Sequence, residues 1–109
     1  MIHLTSQTKI LIATQPVDFR QGIDGLAAVC KHHLACEPRS GILFVFINRN
    51  KTMVRALVYD NNGFWLMTKR LSKGKFSGWP TGNAPINDMA AKHLRQLLNG
   101  HYQSVTTNA

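Results

Sequence analysis

The sequence predicts a small single α+β domain, with a mainly antiparallel sheet of about four strands in the order strand, helix, three-stranded meander, helix. Three observations carry this expectation. The runs Lys9–Thr14 and Ile42–Ile47 are short, apolar and rich in β-branched residues, as buried strands are. The segments 23–36 and 87–99 repeat apolar residues at helical spacing. Asp60-Asn61-Asn62-Gly63 joins two strand-like runs through residues that tolerate the positive φ of a tight turn. A chain of 109 residues is long enough for one domain with a real core. Residues 1–101 are expected to form that domain, and the polar stretch 102–109 a flexible tail.

Taken in order, the first strand ends at Pro16, because proline cannot donate to a central ladder. A turn-rich approach from Val17 to Gly25 follows, with Asp18 or Asp24 as a side-chain cap for the helix start. Ile23, Leu26, Ala27, Cys30 and Leu34 form the apolar stripe of that helix, and the pattern fades near Cys36. Glu37–Gly41 breaks the chain. Ile42–Ile47 is apolar at every position, which predicts a central strand covered on both faces. Asn48–Lys51 turns it back into a strand over Met53–Tyr59, and the hairpin returns as Phe64–Leu71. With a four-residue loop, Tyr59 faces Phe64 and Arg55 faces Thr68, so Arg55 and Lys69 fall on opposite faces. A slip of one residue would reverse that. Ser72–Pro85 holds three glycines and two prolines and reads as a loop. The last helix is expected over Asn87–Asn99, with Asn87 as N-cap, Gly100 as the stop, and Ala90, Leu94, Leu97 and Leu98 as its apolar stripe.

Charge narrows the function. Thirteen Lys and Arg stand against five Asp and Glu, a net charge of +8 that favours polyanionic partners or an acidic protein surface. No apolar run approaches the ~20 residues that span a bilayer. The start, Met1–Ser6, lacks the charged and apolar regions of an export signal. Two cysteines, Cys30 and Cys36, do not make a disulfide framework. A cytoplasmic protein with reduced thiols is the expectation.

The stretch Gly63–Pro80 concentrates the chemistry. Lys69, Arg70, Lys73 and Lys75 lie there between the aromatic pairs Phe64, Trp65 and Phe76, Trp79, and no acid intervenes. Cations attract phosphates and aromatic faces pack on sugars or unpaired bases, so the combination points to nucleic acid. The competing reading makes the rings core and the lysines solvated. The expected contacts to phosphate are Arg20, Arg55, Lys69, Arg70, Lys73 and Lys75, with Trp79 as an aromatic support or stacking platform. Whether the nucleic acid is DNA or RNA is not written in these residues.

Catalysis has little to work with. Metal-assisted phosphodiester cleavage needs clustered carboxylates. The five here are scattered over turns and caps, with only Asp18 and Asp24 close in sequence. Cys30, His32, His33 and Cys36 include a pair at one-turn spacing, Cys30 and His33, but no second pair completes a four-ligand zinc site. Gly22 and Gly25 stand outside any phosphate-loop or dinucleotide motif. Neither an enzyme nor a cofactor is expected.

Several blocks together carry a resemblance: Asp18-Phe19-Arg20-Gln21-Gly22-Ile23-Asp24-Gly25-Leu26, Gly41–Phe46, Tyr59-Asp60 with Gly63-Phe64, Lys69-Arg70-Leu71, Gly74-Lys75-Phe76 and Trp79-Pro80. In that order and spacing the chain resembles the TnpB-type accessory proteins of the IS66 insertion-sequence family, from Ile2 to about Gly100. It departs at Gln21, where the family usually has a basic residue, and at Ser77-Gly78, where one residue usually stands. The resemblance implies a non-catalytic accessory of DNA transposition that works beside a separate transposase and a sister accessory protein. The alternative is a protein–protein adaptor that docks those partners with little direct DNA contact.

Overall fold

The computed structural model describes residues 5–100, so the expected tail at 102–109 lies outside the described residues. Strand β1 (Ile10–Ala13) leads through helix α1 (Ile23–His32) to β2 (Leu43–Ile47), and this crossover sets β1 and β2 parallel. β3 (Met53–Asp60) and β4 (Gly63–Arg70) add on as an antiparallel meander. A short β5 (Ile86–Asp88) pairs antiparallel with the other side of β1, and α2 (Ala91–Leu98) follows. The sheet order is β4-β3-β2-β1-β5. The α+β class stands, with five strands where about four were expected.

The fifth strand displaces an expected cap. Asn87 lies within β5, opposite Ile12, and the helix begins only at Ala91 after an extended Ala90 with no side-chain cap. Ile86-Asn87-Asp88 is too short to show a period of two, so pairing with β1 decides its conformation. At α1 the cap position is Gly22, and neither Asp18 nor Asp24 caps it by a side-chain hydrogen bond. Asp24 sits instead in the first turn, where a negative charge meets the positive end of the helix dipole. α1 closes at His32, earlier than its stripe suggests, with Ala35 at φ 53° and the Cys36 amide on the Cys30 carbonyl at 2.9 Å. Gly100 ends α2 as expected, with φ 79° and its amide on the Leu97 carbonyl.

β2 is the middle strand and is buried at all positions, as its unbroken apolar run requires. Alternation along the strands makes two cores. Ile10, Ile12, Leu43, Val45, Ile47, Val54 and Val58 face Leu94 and Leu97 of α2. Leu11, Ala13, Phe44, Phe46 and Leu57 face Leu26 and Cys30 of α1. The helices therefore cover opposite faces of one sheet. Phe76 and Trp79, from the loop after β4, complete the α2-side core. The Trp79 Nε1 donates to the Ala13 carbonyl at 2.8 Å, so a large ring is buried with its polar atom satisfied.

Trp79→Phe removes that donor and should destabilise the protein by about 1–3 kcal/mol, read as a lower urea midpoint at unchanged slope. Trp79→Ala should lose about 3–5 kcal/mol through the cavity it leaves.

Candidate nucleic-acid interface

Because β1 and β2 run parallel, the segments that leave them emerge at one end of the sheet, where β3 starts and β4 finishes. The Val17 amide bonds the Ile47 carbonyl at 2.9 Å and holds the segment after β1 at this end. The β2–β3 turn is tied by buried Asn48, whose Oδ1 accepts from the Thr52 and Met53 amides while Nδ2 donates to Thr52 Oγ1. The Leu71 amide then bonds the Thr52 carbonyl, and the Phe76 amide the Lys51 carbonyl at 2.8 Å. The loop after β4 is thus laid along the turn.

These bonds bring Arg20, Arg49, Lys51, Arg70, Lys73 and Lys75 to the same end, all exposed. Three of the five acids lie toward the other end. Asp60 closes the β3–β4 hairpin, Asp88 sits by Lys9 at the start of β1, and Glu37 precedes β2. A shallow cleft of about 420 Å³ opens at the cationic end between the two loops, with Arg20, Arg49, Asn48 and Asn50 among its walls.

The residues expected from sequence divide by duty. Arg70, Lys73 and Lys75 are exposed, with no hydrogen bond or ion pair among the described residues. Arg20 grips Asp18, with Nε at 3.1 and 3.0 Å from its two oxygens and Nη2 at 2.7 Å. The Arg20 side chain, then its backbone amide, holds the Asp18 carboxyl down at about 2 and the guanidinium is raised in turn. Arg55 is half-buried on the α1 side. Its Nη1 donates to the Phe19 and Gln21 carbonyls at 2.8 and 3.1 Å, its Nε to Thr68 Oγ1, and its guanidinium lies 4.9 Å from the Phe19 ring centroid. Lys69 is on the α2 side, where its Nζ donates to the Leu98 carbonyl at 2.9 Å and places a cation at the negative end of that helix. Of the two registers left open by the sequence, the structure takes the one with Arg55 opposite Thr68 and Val54 opposite Lys69, so the two cations cannot share a face.

Trp79 offers no stacking face, since it is 8% exposed and bonded to β1. It serves as a support, from inside. The exposed ring is Trp65, at 45%, with its Nε1 on Asp60 Oδ2 at 3.0 Å. Arg49 and Lys51 were not among the expected contacts, although the turn Asn48–Lys51 that carries them was visible.

The exposed cations at this end are of the kind that pair with phosphate oxygens. Among the described residues no three His, Cys, Asp or Glu side chains converge as metal ligands. Cys30 is buried in the α1-side core, and desolvation pushes its thiol up to about 12, far from a nucleophilic thiolate at neutral pH. No helix among the described residues is long and apolar enough to cross a membrane.

Fold and charge together define a small basic α+β domain. The sequence matches the family of IS66 Orf2-like proteins over residues 8–107, and the chain belongs to that family, among the accessory proteins of insertion sequences. It is 41% identical over 100 residues to the uncharacterized protein y4jC of Sinorhizobium fredii (strain NBRC 101917 / NGR234), covering 92% of this chain and 85% of that one. The uncharacterized protein y4hO of the same strain is 32% identical, covering 92% and 86%. No solved structure matches significantly.

A carboxylate titration tests the Asp18–Arg20 pair. The folded value of about 2 lies below the ordinary 3.8, so the pair is fully formed above pH 4 and is lost as pH falls through about 2. In Arg20→Ala the carbon-detected NMR midpoint of Asp18 should move up toward 3.8, stopping short because the backbone amide still donates.

Proposed function

We propose that this protein is a non-catalytic accessory of insertion-sequence transposition that holds DNA through the cationic end of its sheet, beside a separate transposase that does the cutting. The single observation behind this reading is the gathering of Arg20, Arg49, Lys51, Arg70, Lys73 and Lys75 at one end while Glu37, Asp60 and Asp88 lie toward the other. A field polarised in this way attracts a polyanion and orients it. Buried Phe76 and Trp79 fix the loop that carries Lys73 and Lys75, so those cations are pre-positioned and less ordering cost falls on binding. The contact set differs from the one expected from sequence. Arg49 and Lys51 enter it, while Arg55, Lys69 and Trp79 act from beneath as supports.

This gathering favours DNA holding over the adaptor role, which does not require clustered cations. The cations gathered there suit phosphate oxygens and carry no base-reading pattern, so the binding is largely indifferent to sequence.

Fluorescence anisotropy with a terminal-repeat duplex and a scrambled one, titrated across salt, checks the reading. Each phosphate contact contributes about −0.9 to the log–log slope. Replacing Arg70, Lys73 and Lys75 together by Glu should flatten the slope by about 2.7, whereas Lys92→Glu, on exposed α2, should leave it nearly unchanged. Asp18→Asn releases Arg20 and should tighten binding. An unaltered slope in the triple variant, or no binding at low salt, would sink the assignment and return the case to the adaptor.

A further inference from the structure

β4 is an edge strand that lacks the usual protections. It pairs with β3 over eight consecutive positions without a bulge, and no strand among the described residues covers its other side. Its middle, Phe64-Trp65-Leu66-Met67, is apolar, and Trp65 and Met67 are the large hydrophobic residues most exposed in the described chain, at 45% and 38%. Natural edges of this length are ordinarily blunted by bulges, proline or central charges. The other edge, β5, has only three residues.

The two-residue turn closes on the Asp60–Gly63 pair, and the Leu71 amide on the Thr52 carbonyl continues the same series. Gly63, Trp65, Met67 and Lys69 therefore direct their backbone groups to β3. Phe64, Leu66, Thr68 and Arg70 direct theirs outward.

We propose that a second copy of this chain pairs with this edge, β4 against β4 and antiparallel, about a twofold axis at Leu66. The occupant follows from self-complementarity. With the axis at Leu66, outward backbone groups meet outward groups, and Trp65 stands opposite the partner's Met67 on the α2 side, an aromatic–thioether contact repeated twice by symmetry. Lys69 falls opposite the partner's Gly63, and Arg70 opposite the partner's Asn62, so no like charges meet. Asp60, Gly63 and the partner's Lys69 fall in one row on the same face, acid and cation separated by a residue with no side chain. An axis at Met67 would set Trp65 against the partner's Lys69 and give up the apolar match. A parallel arrangement would stack lysine on lysine. The chosen register pairs Trp65 with Met67 and cation with neutral, and it turns the two cationic ends in opposite directions, leaving both open. The dimer does not depend on the polyanion reading.

Sedimentation velocity over a wide range of concentration, in high salt after nuclease treatment, tests this. The expected result is a monomer–dimer equilibrium, with Met67→Lys weakening the dimer by at least about tenfold, which is about 1.4 kcal/mol, since the lysine replaces the apolar contact with the partner's Trp65 and must give up hydration to stay there. Circular dichroism checks that Met67→Lys, at a half-exposed position, keeps its fold. In a Cys36→Ser background, Leu66→Cys should form a 66–66 disulfide under mild oxidation, because antiparallel partners about 5.5 Å apart at Cα are within bridging range. Thr81→Cys, in an exposed loop away from β4, should form no such cross-link. A monomer at all concentrations overturns the proposal. So does a dimer that Met67→Lys leaves intact, or one that Leu66→Cys does not cross-link.

Discussion

Burial of Phe76 and Trp79 is the constraint on which the cationic end depends. A loop carrying lysines beside a turn that already holds Arg49 and Lys51 repels itself, and would spread into solvent without an anchor. Two rings in the α2-side core, with the Trp79 indole on the Ala13 carbonyl and the Phe76 amide on the Lys51 carbonyl, tie it across the sheet end from β4 to β1. Gly74 and Gly78, at φ 77° and 74°, let the chain place rings inward and cations outward within a few residues. The aromatic residues and the lysines of this stretch are parts of one device with different positions in it.

Two other cations act as structural ties. Arg55 makes its bonds to the carbonyls of Phe19 and Gln21 from the α1 side of the sheet, so the loop bearing Arg20 is held by an arginine 36 and 34 residues further along the chain. Charge-assisted bonds of this kind are worth roughly 1.5–3 kcal/mol each, which a phosphate would have to replace before it could recruit the same guanidinium. Lys69 links the edge strand to the last turn of α2 in the same manner. Asp18 works the other way: it is an acid at the cationic end, and by gripping Arg20 it moderates the field there.

Much of the fold was legible in the residues. The unbroken apolar run at Ile42–Ile47 marks the middle strand because a strand covered on both faces has no position for a polar residue. The Asp60–Gly63 turn sets the β3–β4 register, with Asn61 at φ 50°, because few residues other than glycine accept that geometry as readily as asparagine. The family was legible too, since its blocks are spread along the chain in order. β5 was not: three residues carry no periodicity, and their conformation comes from a partner strand about seventy positions distant. The start of α2 shifted with it.

By itself the sequence determined the net charge, the α+β order of elements and the central strand, because composition and apolar period are local properties, whereas the split of Arg55 from Lys69 waited on the β3–β4 pairing. Only the tertiary structure decided which cations share a surface, that Trp79 is inside and Trp65 outside, and that β4 is a bare edge. Those outcomes depend on hydrogen bonds between distant segments, such as Val17 to Ile47, Phe76 to Lys51 and Trp79 to Ala13, and no local pattern encodes which segments will meet.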